Sequence, residues 1–316
     1  MDTNPPTSPC TPSWRIEMDG WIGRQPLTWF GAVSLLVGLT GGQLVAQQAP
    51  PAPRTVRLFV LDCGLINVNR AGTERYKVTP EEVGETRFSV PCFLVAHPKG
   101  TLMWELGILP DDTVEARARG KQGNPTATAA SVTTVPRTLR SSLAALGYRP
   151  TDITYFAFSH AHVDHNANAN LFAASTWLAR PAERAFMWEG GNTRVNRTFF
   201  DSLRTSKSIS LDEDEYDVFG DGSVVIKAAP GHSPGHQVLV LTLATTGRVM
   251  LGGDLYHYPQ ERTLRRPPPD TEFNVQQSAA SRVMIEEYLQ RTKTDLWIEH
   301  DFVANAKLKK APAYYD

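Results

Sequence analysis

Ser159-His160-Ala161-His162-Val163-Asp164-His165 gathers three of the chain's eight histidines and a carboxylate into one short segment. The residues ahead of it, Ile153–Phe158, form an apolar run that predicts a buried strand delivering Ser159-His160 at its C-terminal end. In the extended backbone leaving a strand, His160 and His162 project to the same side, and a turn just beyond swings Asp164 and His165 toward the same space. Imidazole nitrogens with a carboxylate are the ligand set that suits zinc and its borderline neighbours. The alternative, a polar loop rich in histidine, leaves this residue choice unexplained.

Around that segment, short apolar or alternating runs bounded by turn residues recur. Val56–Leu61 and Arg87–Ala96 read as strands, and Thr101–Leu106 follows the turn signal His97-Pro98-Lys99-Gly100 to complete a hairpin. Ala116–Thr134 is small and polar and reads as a loop. Val135–Leu146 carries Leu139, Leu143 and Leu146 at helical spacing and stops at Gly147. Later come a strand at Ser223–Ala228, a hairpin of Val238–Leu243 with Arg248–Leu251, a helix at Val275–Arg291 and a strand at Asp295–Ile298. Strands precede helices in both halves without strict alternation, which predicts a mixed-sheet α/β sandwich in one domain.

The composition narrows the function. With 316 residues, 41% hydrophobic and 21% charged, the chain is that of a folded protein with a substantial core. Its net charge of −1 removes the electrostatic case for a nucleic-acid partner and points to a small molecule. Three cysteines, Cys10, Cys63 and Cys92, exclude a disulfide scaffold and a zinc site built on CxxC pairs.

The N-terminus is organised differently. No charge lies between Gln25 and Pro53, and the apolar segment Leu27–Leu39 follows Arg24 and leads to Leu44-Val45-Ala46. This reads as a secretory signal cleaved near Ala46, so residues 1–46 are expected to be a leader with a polar extension, 47–55 a linker and 56–316 the folded domain. The segment is shorter than the roughly 20 residues of a membrane span, and an uncleaved anchor is the alternative. A processed chain is expected to be periplasmic or secreted, with no stable membrane span. There Cys63 and Cys92 either pair or remain two separately buried thiols.

Together with Gly231-His232-Ser233-Pro234-Gly235-His236, Gly253-Asp254 and Glu299-His300-Asp301, the histidine segment resembles the HxHxDH branch of the metallo-β-lactamase superfamily, from about Val56 to the C-terminus. The resemblance implies an αββα sandwich, two mixed sheets flanked by helices. It also implies two divalent metal ions, zinc first, with iron, manganese or cobalt as alternatives. His160, His162 and His232 would hold one ion, Asp164, His165 and His300 the second, and Asp254 would bridge them.

Within the branch, His162 stands where flavodiiron relatives place a glutamate, which implies hydrolysis rather than redox iron, and His165 stands where β-lactamases most often have arginine or another residue, which with Asp254 rather than a cysteine argues against antibiotic cleavage. The short stretch after His300 leaves no room for the helical substrate domain of glyoxalase II-like enzymes. The chain is most similar to the N-acyl-homoserine lactonases, in Ser159–His165, in Gly231–Gln237, in the spacing of Asp254, and in His300-Asp301 followed by Tyr314-Tyr315. Two positions depart from that group. His257 stands where it has a tyrosine, flanked here by Tyr256 and Tyr258, and Glu105 stands where it has a strand-end aspartate.

The resemblance implies that a hydroxide shared by the two metals attacks a lactone carbonyl. Tyr256, His257 or Tyr258 would donate a hydrogen bond to the carbonyl, and Asp164 would pass a proton to the departing alkoxide. Phe186, Trp188, Phe199 and Phe200 offer either an acyl-chain wall or ordinary core packing. His236 is expected to brace its loop, His97 to be solvated in its turn, Asp301 to orient His300 or lie exposed, and Lys307, Lys309 and Lys310 to form a solvated face. A homodimer stays open. The alternatives are a hydrolase of the same fold acting on a thioester, phosphoester or β-lactam, and a secreted metal-binding protein without turnover.

Overall fold

Alternation along three neighbouring strands builds the first sheet. In β1 (Arg57–Val68), β2 (Phe88–His97) and β3 (Gly100–Trp104), the side chains of Leu58, Val60, Phe93, Val95, Leu102 and Trp104 point to one face, and Phe59, Leu61, Leu94 and Met103 to the other. The computed structural model describes residues 48–119, 131–188 and 194–316. Helix α1 (Pro80–Val83) lies between β1 and β2, and α2 (Asp111–Ala118) and α3 (Leu139–Ala145) alternate with β4 (Ser131–Thr134) and β5 (Tyr155–Ala157). After α4 (Val163–Asn166) come β6 (Thr176–Ala179), α5 (Pro181–Trp188) and β7 (Ser208–Ser210). The sheet order is β4-β1-β2-β3-β5-β6-β7, antiparallel as far as β3 and parallel from β3 onward.

The second sheet joins β8 (Glu215–Asp217), β9 (Val224–Ala228), β10 (Gln237–Leu243) and β11 (Gly247–Leu251) to β12 (Asp295–Trp297), which runs parallel to β11. Between β11 and β12 lie α6 (Pro259–Thr263) and the long α7 (Val275–Thr292), and α8 (Phe302–Asn305) follows β12. Val224, Ile226, Leu239, Leu241, Val249 and Leu251 meet the first sheet's inner face to form the central core. The outer faces are covered by helices, with Leu139, Leu143 and Met187 against Phe59, Leu94 and Phe156 on one side, and Ile285 and Leu289 against Val238, Val240 and Met250 on the other. Each fully buried side chain of this kind contributes about 1.5–3 kcal/mol. The architecture is the expected αββα sandwich.

Four expectations need correction or completion. The predicted loop 116–134 begins inside α2 and ends in β4, a polar strand that hydrogen bonds the outer end of β1, where period-2 hydrophobicity is not required; residues 120–130 fall outside the described ones. His97 is buried rather than solvated, stacked on Phe219 at 4.0 Å with Nε2 2.9 Å from Asp221 Oδ2. Cys63 and Cys92, on adjacent strands with Cα atoms 5.7 Å apart, form a disulfide. The leader and its cleavage point lie outside the described residues, and among the described residues no helix is long and apolar enough to cross a membrane.

Candidate metal centre

The parallel pairs β3/β5 and β11/β12 bring their C-terminal ends to one edge of the sandwich. Glu105 follows β3, His160 follows β5, Asp254 follows β11 and His300 follows β12, while His232 lies in the loop entering β10. His162 caps the single-turn helix α4, which turns Asp164 and His165 back toward His160. All of these side chains are buried except that of Asp164, which is 18% exposed.

Two groups of donor atoms converge there. His160 Nε2, His162 Nδ1 and His232 Nε2 lie 2.7 to 3.2 Å from one another. Asp254 Oδ2 joins them, 3.2 Å from His232 and 3.7 Å from His160. The other oxygen, Oδ1, is 3.2 Å from His165 Nε2 and 3.0 Å from His300 Nε2, and Asp164 stands 3.8 and 3.7 Å from the same two nitrogens. The seven expected ligands are therefore brought together as two sets, with Asp254 facing both. Burial alone would raise the Asp254 carboxyl, but the imidazoles of His300, His165, His257 and His160 hold it well below the usual carboxylate range.

The far nitrogen of most rings is fixed from behind. Nδ1 of His160 meets Ser159 Oγ at 3.0 Å, that of His165 meets Glu105 Oε2 at 3.2 Å, that of His232 meets Glu272 Oε1 at 3.1 Å, and that of His300 meets the Ser89 carbonyl at 2.9 Å. A proton held on Nδ1 leaves the Nε2 lone pair directed into the centre, the arrangement a metal-ligating imidazole requires. Burial works to lower the His232 pKa, but Glu272 and Asp254 outweigh it and raise it to about 9. Glu105 also accepts the Ser159 N–H at 3.0 Å, so the longer side chain at this departure from the lactonase pattern ties β3 to the His160 loop.

A carboxylate that sequence reading missed ties two ligand loops together. Glu183, in the first turn of α5, accepts the Ala161 N–H on Oε1 at 2.7 Å, and the Ser233 hydroxyl and Gly235 N–H on Oε2 at 2.6 and 2.8 Å. A Cβ on Gly235 would lie 2.5 Å from Glu183 N, so the contact needs a glycine. The available signal was a lone acid sharing a helical face with the buried Met187. Glu272 sits in an irregular segment and gave no signal. His236 braces its loop as expected, placed between the Ala229 carbonyl at 2.9 Å and the Asp254 N–H at 3.1 Å.

A cavity of about 570 Å³ opens onto the centre. Of the three residues expected to face the carbonyl, only His257 lines it, with Nε2 3.2 Å from Asp254 Oδ2. Tyr256 turns into the core under α7 and donates to Glu286, and Tyr258 donates to the Thr86 carbonyl. Tyr76, which sequence reading passed over, lines the cavity instead, its ring 4.3 Å from that of His257. Of the four proposed wall aromatics, only Phe199 reaches the cavity; Phe200 is core, Trp188 packs on Phe200 and Trp177, and Phe186 meets Phe273. The rest of the apolar lining comes from Ile66, Val68, Phe88, Ile108 and Val163. Asp301 neither orients the His300 ring nor stands free; it caps α8 through the Ala304 N–H.

The donor set fits divalent metals. His165 Nε2 and Asp254 Oδ1 are buried without a hydrogen-bond partner, and three imidazole nitrogens aimed at one point cannot all be satisfied by one another. A cation at the centre of each set resolves both problems.

Comparison with known proteins agrees with this geometry. Residues 86–288 match the sequence profile of the metallo-beta-lactamase superfamily. The chain is 27% identical over 266 residues to the N-acyl homoserine lactonase AttM of Azorhizobium caulinodans, covering 83% of this chain and 99% of that one. It is 30% identical over 227 residues to the metallo-hydrolase mfmC of Annulohypoxylon moriforme, covering 66% of this chain and 59% of that one. A solved N-acyl homoserine lactone hydrolase, with N-hexanoyl-L-homoserine bound at its catalytic metal centre, superposes with a TM-score of 0.66 at 20% identity, over 82% of this chain and 99% of its own. On the matched residues and the sandwich that carries them, the chain belongs to the metallo-beta-lactamase superfamily and is a metal-dependent hydrolase.

Proposed function

We propose that this hydrolase holds two divalent metal ions, zinc first among them, and opens the ring of N-acyl-homoserine lactones or similar lactones. The observation that carries the reading is the division of Asp254, with Oδ2 toward His160, His162 and His232 and Oδ1 toward His165 and His300. A single-ion site has no need of a carboxylate shared in this way. AttM and the superposed hydrolase, both lactone-directed by name, support the substrate class, and an apolar wall beside a polar centre suits an acyl chain joined to a lactone.

His160, His162 and His232 with Asp254 would hold one ion, and Asp164, His165 and His300 with Asp254 the other. When bound, the ions supply a water acidified to near neutrality and positive charge for the oxygens that become negative. Asp254 sets the spacing of the two sets. Asp164, the one part-exposed carboxylate, borders the cavity and is placed to carry a proton to the departing alkoxide. Ile66, Val68, Phe88 and Ile108 orient the acyl chain and exclude water from it. Export through a leader cleaved near Ala46 is part of the same proposal, and the Cys63–Cys92 disulfide supports an oxidising compartment.

The test is a pH-stat assay on homoserine lactones of several chain lengths, beside a thioester, a phosphodiester and a β-lactam, together with metal analysis. Two metals per chain and lactones as the preferred substrates are expected. Activity persisting in rigorously metal-free protein, or a preference for the thioester, the phosphodiester or the β-lactam, refutes the proposal.

A further inference from the structure

The wall of the metal cavity carries a phenol that the expected ligand set does not use. Tyr76 closes the 3₁₀ segment Arg70–Tyr76, which is fixed at its start by the Asn69 side chain accepting the Gly72 N–H and stopped by Lys77 at φ 61°. Its ring is 5% exposed, lies 4.3 Å from the His257 ring, and meets Phe88 and Tyr258 edge-on at 5.5 Å. The Arg75 guanidinium stacks 4.6 Å from the ring centre. Four neighbours thus hold the ring in place, yet among the described residues no group hydrogen bonds its hydroxyl. Of the nine tyrosines only Tyr76 lines the cavity, beside His162, Asp164, His232, Asp254 and His300.

We propose that Tyr76 is a catalytic residue that donates its O–H to the carbonyl oxygen of the bound ester as negative charge develops there. The proton stays on the phenol throughout, so no step beyond hydrolysis itself is added. Burial opposes ionisation of this phenol and keeps it a donor. The side chain is rigid before substrate arrives, which is the condition under which such a hydrogen bond lowers a barrier. The inference rests on the hydrolase reading of the site, and on the lactone reading only for the choice of first substrate.

Tyr76→Phe keeps the ring, its stacking on His257 and its apolar contacts, and removes only the hydroxyl. On the metal-loaded enzyme kcat is expected to fall about 10–100-fold, since loss of a single oxyanion donor costs up to about 1000-fold where no cation shares the charge. KM, metal content and melting temperature are expected to stay at wild-type values. The assay runs on a lactone and on whichever other ester wild type hydrolyses, so failure of the lactone reading leaves the Tyr76 comparison intact. In parallel, calorimetric titration with ring-opened N-hexanoyl-L-homoserine is expected to show weaker binding to Tyr76→Phe, a readout independent of turnover. An unchanged kcat on every hydrolysed ester overturns the proposal, as does a loss accompanied by lost metal, or, where no ester is hydrolysed, equal binding by the two proteins.

Discussion

Replacing Glu183 with Gln keeps the side chain's shape and exchanges one acceptor oxygen for an NH₂, which makes it a sharp test of how the metal loops are held. Oε1 accepts the Ala161 N–H and Oε2 the Gly235 N–H, and backbone N–H groups only donate. A glutamine amide therefore has to point its NH₂ at one of them, whichever way it turns. The Ser233 hydroxyl can rotate to accept, but the backbone cannot. One buried N–H loses its acceptor, at a cost of about 1–3 kcal/mol. That loss falls on the loops carrying His160, His162 and His232, because Ala161 separates the first two and Ser233 follows the third. Affinity at that ion's site is expected to weaken by about 10–100-fold, the usual effect of removing an outer partner of a ligand. Urea unfolding of the metal-stripped chain reads the first quantity, and competition with a chromophoric chelator reads the second. The ion assigned to Asp164, His165 and His300 is expected to hold more firmly, so release becomes stepwise. Unchanged affinity in a destabilised variant refutes the claim that Glu183 positions the ligands, and no change in either refutes the acceptor argument itself.

Three further substitutions probe the same frame. Asp254→Ala removes the carboxylate facing both ligand sets and is expected to lower activity by more than the roughly 100-fold typical of a supporting partner, with metal content falling below that of the unmodified protein by elemental analysis. Gly235→Ala drives a Cβ to within 2.5 Å of Glu183 N and 2.6 Å of Glu183 Cβ, so unfolding free energy in urea is expected to drop by about 1–3 kcal/mol from overpacking. The paired change Cys63→Ser with Cys92→Ser opens a loop of sequence separation 29 and is expected to lower stability by about 3–4 kcal/mol on loop-closure entropy while leaving the metal ligands in place. Thiol titration of the denatured full chain is expected to find one free cysteine, Cys10.

What the sequence made legible were features whose cause is local. Ile153–Phe158 is apolar because its strand is covered on both faces, and the histidines follow at once because the strand ends at the open edge. The ligands His232, Asp254 and His300 were readable through the resemblance that Gly231–His236, Gly253-Asp254 and Glu299-His300 carry, and the structure sets each in a loop beside a strand. What stayed hidden depends on partners distant along the chain. Glu183 is an ordinary acid in a helix until Ala161 and Gly235 are placed beside it, and Glu272 is one until His232 is. β6, β7 and β8 have only three or four residues each, too few for a periodicity to register. His97 was misjudged for the same reason, since a turn predicts exposure and only the approach of Phe219 and Asp221 from the second sheet's side buries it.

The choice between tyrosines follows this division between local and distant causes. Tyr256 and Tyr258 drew notice by adjoining Asp254, but neighbours in an extended segment alternate in direction, so if His257 faces the cavity both flanking side chains face away. Tyr256 φ is −140° and Tyr258 φ is −118°, extended values that fix this alternation. A phenol reaching the centre has to come from another part of the chain, and Tyr76 arrives from the connection between β1 and β2. His257→Tyr then places a second phenol beside the first. If Tyr76 already serves the carbonyl oxygen, the added hydroxyl is redundant, and it restores little activity to wild type but part of what Tyr76→Phe loses. Equal gains in the two backgrounds, measured as kcat on the same ester, contradict a shared role and separate the two positions.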